Sequence, residues 1–445
     1  MTDRTGLTRR GLMRAGAALS TASMGASMTE ASWAETSRAG AAEAARGPAA
    51  PDDEAYWARV AARYEMTDRI TNLENGNWGV MAQPVLEAYQ EHTRRVNREN
   101  SYFARRAYAP VHRAVVEETA ARLGVKPGEV ALTRGATEAL QNIIGGYNRL
   151  KPGEAVMIAD LDYGSIRATM RGLARRHGGE VVDLAIPEPA SHVGLIAFYG
   201  AALDDHPNTR LLLLTHVSHR TGLVMPVAEI TALARARGVD VVVDAAHAWG
   251  QIDYTLPEIG ADFVGLNLHK WIGAPVGVGA MYIAEARLAD IDPNISAADH
   301  EADRIEGRVH TGTSNFAAFM SVPDAFAFQD AVGPAAKEAR LRYLRGLWTS
   351  ACREAAADGA LDILTPEDAR LHAGITSFRI AGRASVEDNK AIAAFLLDEF
   401  NVFSVHRAGV AGGACVRITP ALYNGADDLA RAADAILAAA ARFKR

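Results

Sequence analysis

VDVVVDAAHA (Val239–Ala248) and GLNLHKW (Gly265–Trp271) are the two stretches of sequence that decide the fold. The first is an apolar run ending in an aspartate, as expected of a strand buried on both faces of a parallel sheet. The second places a lysine just past another apolar run and before the glycine-rich segment Gly273–Gly279. Ligands of open α/β sheets collect at the carboxyl ends of strands, so we expect a ligand site where these two stretches end.

The chain from Pro110 onward alternates short apolar runs with longer segments of helical period, which predicts a doubly wound, mostly parallel α/β domain. The runs Phe263–Leu266 and Val278–Ile283 are close enough in sequence to form a tight antiparallel or edge pair. After about residue 320, long helical stretches such as Pro334–Asp358 precede short strands, including Cys415–Ile418. This change of pattern predicts a second, smaller α+β domain.

Composition excludes several classes of function. The 445 residues include 47 basic and 53 acidic side chains, for a net charge of −6, and no basic stripe points to nucleic acid. The two cysteines, Cys352 and Cys415, are too few and too far apart for a disulfide framework or a paired-cysteine zinc site. We therefore expect a small-molecule ligand and no metal.

The first 34 residues have the pattern of a twin-arginine export signal. Thr8–Arg14 contains the arginine pair, an Ala-, Ser- and Gly-rich apolar stretch follows, and Ser32–Ala34 resembles a cleavage site. The alternative is a disordered, Ala-rich tail. Export predicts a periplasmic or secreted protein that uses the twin-arginine machinery and, after cleavage, has no membrane segment. The predicted organisation is a signal peptide (1–34), a linker (35–53), an N-terminal segment packing on the core (54–95), the large domain (96–318) and the small domain (319–445).

Asp244 and Lys270 are the residues whose chemistry is hardest to explain by structure alone. A carboxylate at the end of a buried strand is costly unless it meets a cation or several donors, although an aspartate after a strand is commonly a cap or a turn residue. A lysine past a strand is often a solvated side chain. Schiff-base chemistry needs a partly desolvated lysine near a cationic group that lowers its pKa. The occurrence of Asp244 and Lys270 together favours Schiff-base chemistry over two purely structural roles.

The run from Asp244 to His247, followed by Asn267-Leu268-His269-Lys270, resembles the class V aminotransferase family of pyridoxal-phosphate (PLP) enzymes, fold type I. The resemblance extends from about residue 70 to about residue 435 and is greatest to the isopenicillin N epimerase and related lyase group. It implies pyridoxal 5'-phosphate as cofactor, held as a Schiff base on Lys270, with Asp244 paired to the ring nitrogen. A protonated ring accepts the electrons of a substrate carbanion.

The resemblance also implies roles for other residues. The phosphate would be bound by the strand-to-helix turn at Ala136 and Thr137, whose free N–H groups suit an anion. Asn267 and His269 would contact the same phosphate. Thr313 matches a segment that reaches the phosphate of a neighbouring subunit, which implies a homodimer with shared active sites. Tyr163 matches a tyrosine that stacks on the cofactor ring. Arg417 matches an arginine whose planar guanidinium group binds the substrate carboxylate.

Some residues depart from the family pattern. His219 stands where the family often carries asparagine, and His247 where some members carry glutamine; either histidine could bond the cofactor's phenolic oxygen or be a satisfied buried side chain. The loop before Arg417 lacks the nucleophilic cysteine of the desulfurases, and we expect Cys415 to act as a small apolar strand residue. Asp160 and Asp162 are interpreted as solvated loop residues.

The sequence thus predicts an enzyme that acts at the α-carbon of an amino acid or a derivative, with Lys270 as the base. Epimerisation is the first expectation, by resemblance. β-Elimination, including C–S lyase chemistry, and transamination remain open. Two rivals belong to other classes: a non-catalytic exported binding protein on the same fold, and a dehydrogenase, for which no Gly-x-Gly-x-x-Gly run follows an early strand.

Overall fold

The computed structural model describes residues 50–297, 301–310 and 312–444. The predicted signal peptide and most of the predicted linker lie outside these residues. Among the helices of the described ranges, none is long and apolar enough to cross a membrane.

A seven-stranded sheet forms the centre of the large domain. Its strands are β2 (Val130–Thr133), β3 (Ala155–Ala159), β4 (Glu180–Leu184), β5 (Thr209–Thr215), β6 (Asp240–Asp244), β7 (Phe263–Asn267) and β8 (Gly279–Ile283). They lie in the order β2-β8-β7-β6-β5-β3-β4, and all are parallel except β8, which runs antiparallel to β7 and β2. The predicted antiparallel pairing of the two runs is confirmed, with β8 inside the sheet and β2 at its edge.

Both faces of this sheet are buried. Along β5, Leu212 and Leu214 belong to one hydrophobic cluster, and Leu211 and Leu213 to another. Because successive side chains of a strand point to opposite faces, helices must cover both sides of the sheet. The helices of this part of the chain are α1 (Glu54–Ala61), α2 (Gln83–Arg106), α3 (Tyr108–Leu123), α4 (Ala136–Gly146), α5 (Gly164–His177), α6 (His192–Asp205), α7 (Val227–Arg235), α8 (Leu256–Ile259), α9 (Phe316–Met320) and α10 (Val322–Val332).

The C-terminal part contains a second, antiparallel sheet. Its strands are β9 (Leu361–Ile363), β10 (Thr376–Ile380), β12 (Val405–Arg407) and β13 (Cys415–Ile418), in the order β12-β13-β10-β9. Its helices are α11 (Pro334–Ala351), α12 (Arg353–Ala357), α13 (Val386–Phe400) and α14 (Ala426–Phe443). The single helix predicted from Pro334 to Asp358 is interrupted at Cys352. With this sheet, the predicted two-domain α/β fold of type I is confirmed.

The N-terminal segment joins the small domain as well as the large one. Strand β1 (Thr71–Asn72) pairs in parallel with β11 (Val402–Phe403), and Glu74 bridges to Thr419. The predicted boundary at residue 95 falls inside α2, so a division there would cut a helix. This pairing brings the residues after β1 against β13, next to the large sheet.

Candidate active site

A cavity of about 510 Å³ opens at the carboxyl ends of β5, β6 and β7 and the start of α4. Ten of the residues singled out from the sequence line it: Ala136, Thr137, Tyr163, His219, Asp244, His247, Asn267, His269, Lys270 and Arg417. This clustering is the outcome expected of a parallel sheet, whose strands deliver their terminal residues to one edge. Thr313 is exposed and is not part of the cavity wall of its own chain.

Lys270 carries an amine that gives up its proton unusually easily. Burial, together with the nearby cation of Arg417 and against the opposing effect of the Asp244 carboxylate, lowers the pKa of Lys270 to about 8. Lys270 Nζ lies 2.9 Å from His247 Nε2. A substantial fraction of the amine is therefore neutral near pH 8, the form that attacks an aldehyde or removes a proton.

Trp271 determines which nitrogen of His247 carries the hydrogen. The indole Nε1–H of Trp271, which can only donate, is 3.4 Å from His247 Nδ1. Because burial holds the pKa of His247 well below its ordinary value, the ring is neutral. If Nδ1 accepts from Trp271, Nε2 carries the hydrogen and donates it to the lone pair of a neutral Lys270 amine.

Helices of the C-terminal half hold the segment that follows Lys270. Lys337 Nζ donates to the carbonyl oxygen of Trp271, and Gln329 Nε2 donates to that of Ile272 at 2.9 Å. Burial lowers the pKa of Lys337 to about 7. These bonds fix the backbone directly after Lys270 and so restrict where its side chain begins.

Asp244 is a buried acid with little compensation from the protein itself. It is 4% exposed, and its Oδ1 accepts one hydrogen bond, from Ala246 N at 3.0 Å, within the described residues. Burial raises the pKa of Asp244. A cationic ring nitrogen beside this carboxylate would supply the partner that the described part of the chain does not.

The interpretation of Asp160 and Asp162 as solvated residues is wrong. They are 8% and 2% exposed. Asp162 accepts hydrogen bonds at 2.7 Å from Thr215 Oγ1 and Ala159 N, while Asp160 accepts from two backbone N–H groups. Burial raises the pKa of Asp162 to about 7. Both aspartates follow β3, and they are buried because the segments that contain Ile186, Thr215 and Ala411 pack against them and donate these hydrogen bonds.

The start of α4 forms a cradle for an anion. Asn267 Oδ1 accepts from Ala136 N at 2.8 Å, and His269 Nδ1 lies 2.7 Å from the carbonyl oxygen of Val278. A Cβ atom on Gly135 would stand 3.0 Å from both side chains, so this position is suited to glycine. The following helix N-terminus, with its remaining N–H groups, fits a phosphate.

Tyr163 and His219 meet edge to face, with ring centroids 5.1 Å apart. Tyr163 is 44% exposed and lines the cavity, so its ring is accessible to a ligand there. Burial holds the pKa of His219 well below its ordinary value, and His219 Nδ1 has no hydrogen-bond partner among the described residues. An unpaired buried nitrogen in the cavity wall is available to a ligand.

Arg417 is buried and already paired. Its Nη2 donates to both oxygens of Glu74, at 2.5 and 2.7 Å, and its Nη1 donates to the carbonyl of His219 at 2.6 Å. Arg407 also donates to Glu74, at 3.2 Å, and also lines the cavity. Sequence reasoning missed Glu74 and Arg407, because only the pairing of β12 with β13 and the bridge from Glu74 to Thr419 bring them together.

Cys415 is fully buried in β13, and burial raises its pKa to about 11, as expected of a small apolar residue. A thiol in that state is a poor nucleophile.

The cavity residues fit pyridoxal phosphate at three of its polar groups: a lysine amine for the aldehyde, a buried acid for the ring nitrogen and a helix start for the phosphate. Together with the two-domain fold, they define a PLP-dependent enzyme of fold type I. Bound there, the cofactor acts as a sink for the electrons of a substrate carbanion.

The family model described as Aminotransferase class-V matches residues 80–431, and the chain belongs to this family. It is 30% identical over 405 residues to an isopenicillin N epimerase from Streptomyces clavuligerus, covering 86% of this chain and 98% of that relative. It is 29% identical over 294 residues to a putative L-cysteine desulfhydrase from Oryza sativa subsp. japonica, covering 61% and 60% of the two chains. The fold is similar to a cysteine desulfurase from Escherichia coli, with a TM-score of 0.72, 20% identity, and coverage of 86% and 98%.

The tautomer assigned to His247 can be tested through the pH dependence of cofactor binding. Only the neutral amine attacks the aldehyde, so the rate at which apoprotein takes up pyridoxal phosphate should rise with pH, with a midpoint near pH 8. Trp271→Phe removes the indole donor, frees Nδ1 of His247 to carry the hydrogen and lets Nε2 accept from a protonated Lys270. The midpoint of the rate profile should then move upward by about one unit.

Stopped-flow absorbance of the yellow product gives the profile. Trp348→Phe is the matched control, since Trp348 is fully buried in the small domain and its Nε1 bonds to none of the described residues. An unchanged midpoint in Trp271→Phe would contradict the assigned tautomer.

Proposed function

We propose that this enzyme epimerises an amino acid or an amino-acid derivative at its α-carbon. The observation that carries the proposal is the partly buried Lys270 amine, whose pKa is about 8, next to a buried acid in a cavity of the class V fold. The similarity to an isopenicillin N epimerase, over nearly the whole of that relative, favours this reaction among those the family performs.

In the proposed reaction each residue has a separate task. Lys270, once its amine is free, takes the α-proton, because its depressed pKa of about 8 makes the neutral form accessible near physiological pH. Asp244 keeps the ring nitrogen protonated. His247 bonds the lysine amine and orients it, and Arg417, with Arg407, lines the cavity from the small domain to hold the carboxylate of the substrate.

β-Elimination is the second candidate, supported by the similarity to an L-cysteine desulfhydrase. It would use the same proton removal and differ in the fate of the leaving group. Persulfide transfer through Cys415 is disfavoured, because that thiol is buried and protonated. Transamination and a non-catalytic binding role are further outcomes of the test.

The test follows α-proton exchange in deuterium oxide by NMR, using a panel of D- and L-amino acids. The wild type should exchange the α-proton of its substrate and invert the configuration, releasing neither ammonia nor an oxo acid. Lys270→Ala should lower the exchange rate by a factor of about 100 or more, since the base is removed. Lys151→Ala, at an exposed lysine, is the matched control and should leave the rate unchanged.

Ammonia and oxo-acid release would identify a lyase, and amino transfer to an added oxo acid would identify an aminotransferase. Protein that binds the cofactor and exchanges no α-proton would be a binding protein.

We also propose that the enzyme is a homodimer in which Thr313 lies near the phosphate site of the partner subunit. The exposed position of Thr313, away from its own cavity, supports this arrangement. Thr313→Asp should then raise the dissociation constant for pyridoxal phosphate about tenfold, because like charges repel across the interface. Thr67→Asp, at another exposed threonine, should not. Equal affinities in both variants, or a light-scattering mass of one chain, would refute the shared site.

We propose in addition that residues 1–34 direct export by the twin-arginine route. The order of arginine pair, apolar stretch and small-residue site in the sequence supports this. Replacing Arg9 and Arg10 together by lysine should leave the protein in the cytoplasmic fraction of an expressing bacterium. Periplasmic recovery of that double variant at the wild-type level would exclude this route.

A further inference from the structure

Two arginines of the small domain form part of the cavity wall; we call Arg407 and Arg417 the arginine pair. They project from neighbouring antiparallel strands, where Val405 is opposite Arg417 and Arg407 is opposite Cys415. This register makes the pair diagonal neighbours on one face of the sheet, close enough for long side chains to act together.

Glu74 lies behind the arginine pair and bonds to both of its members. Its carboxylate accepts two hydrogen bonds from Arg417 and one from Arg407. The side chain is 7% exposed. Gly76 and Asn77, which follow Glu74, line the cavity, whereas Glu74 itself does not. A Cβ atom on Gly76 would stand 2.2 Å from Nη2 of Arg417, so the backbone packs directly on the guanidinium.

The two arginines differ in their exposure and in how many of their hydrogen-bond donors are free to bind a ligand. The side chain of Arg417 is 1% exposed, and both of its terminal nitrogens already donate to protein oxygens. The side chain of Arg407 is 28% exposed and, among the described residues, makes one hydrogen bond, of 3.2 Å, to Glu74. The Nε atoms of both are buried without a hydrogen-bond partner in the described ranges. Arg407 is therefore the member with more free donors.

The charges of this cluster leave one positive charge uncompensated. Two guanidinium groups face one carboxylate, and burial, followed by repulsion from Arg417, lowers the pKa of Arg407 to about 10. The neighbouring His219 is neutral, because burial holds its pKa well below its ordinary value. One net charge in a partly desolvated site attracts one carboxylate strongly and a second acidic group much less.

We propose that Arg407 is a direct ligand of the substrate carboxylate and that Glu74 sets the charge selectivity of the site. By cancelling one charge of the arginine pair, Glu74 restricts the pair to one carboxylate and disfavours amino acids with a second acidic group beside the first. The inference rests on the proposed function only in that an amino acid is the ligand; it does not depend on which reaction follows.

The test measures binding of simple anions to the holoenzyme by titration calorimetry. Propionate presents one carboxylate and succinate presents two. In Glu74→Gln, the pair regains its second positive charge, so the affinity for succinate relative to propionate should rise about tenfold, and the gain should shrink as salt is added. A role of Glu74 in packing alone would weaken both anions equally.

Glu188→Gln is the matched control. Glu188 pairs with Arg379 at 2.5 Å, in an ion pair of the same composition that does not line the cavity. This variant should keep the wild-type ratio of succinate to propionate affinity. A ratio in Glu74→Gln that equals the wild-type value would overturn the role given to Glu74.

Arg407 is tested separately, since its side chain makes one protein hydrogen bond of 3.2 Å and its loss should leave the fold intact. Arg407→Gln should weaken propionate binding about tenfold, and Arg407→Lys should restore part of the loss, because charge returns without the planar fork. Unchanged propionate affinity in Arg407→Gln would overturn its role as a ligand. Anion binding needs no turnover, so these results stand apart from α-proton exchange, which tests the proposed function.

Discussion

The structure depends on keeping a lysine amine neutral while carboxylates and guanidinium groups surround it. In water Lys270 would hold its proton at every physiological pH, and burial at the end of β7 brings its pKa to about 8. The sheet makes this possible, because its central strands are buried up to their carboxyl ends and end together at one cavity. His247, held by Trp271, then offers the amine a hydrogen-bond donor, which the neutral form accepts and the protonated form cannot.

The burial that lowers the pKa of Lys270 also affects every other charged group in the cavity wall. A buried charge without a partner is costly, so each one in the cavity wall either has a protein partner or requires a ligand. Glu74 accepts hydrogen bonds from Arg417 and balances its charge, and Asp162 accepts hydrogen bonds from Thr215 and the backbone. Asp244 and Arg407 are left with the least compensation. Asp244 lies where the sequence predicts the cofactor ring, and Arg407 lies where the cavity leaves space for a substrate.

The sequence was sufficient for the large domain and for the cofactor side of the cavity. Asp244, Asn267 and Lys270 stand at the ends of strands that the apolar runs mark clearly, and a parallel sheet brings such ends together without further information. The sequence was insufficient where distant segments pair. Glu74 precedes Arg417 by more than three hundred residues, and no local pattern shows that β1 lies beside β11 or that Glu74 reaches β13. Asp160 and Asp162 were misjudged for a related reason: the burial of a loop depends on what packs over it.

The cofactor side and the carboxylate side of the cavity are built from different parts of the chain. The cofactor side is built from consecutive strands of one sheet, so its geometry follows from the fold itself. The carboxylate side is assembled from the N-terminal segment and two strands of the small domain, which meet only in the folded chain. A substitution at Glu74 or Arg407 changes the charge offered to the substrate and leaves Lys270, His247 and the helix start at Ala136 in place. It reaches Lys270 through charge, since Arg407 lowers and Glu74 raises the pKa of that amine. Substrate choice and proton removal are therefore carried by different residues but remain coupled. The coupling runs through the charges of Arg407 and Glu74 near Lys270 and through the hydrogen bond from Gly79 N to the carbonyl of His269, at 2.8 Å, which links the segment after Glu74 to the segment of Lys270.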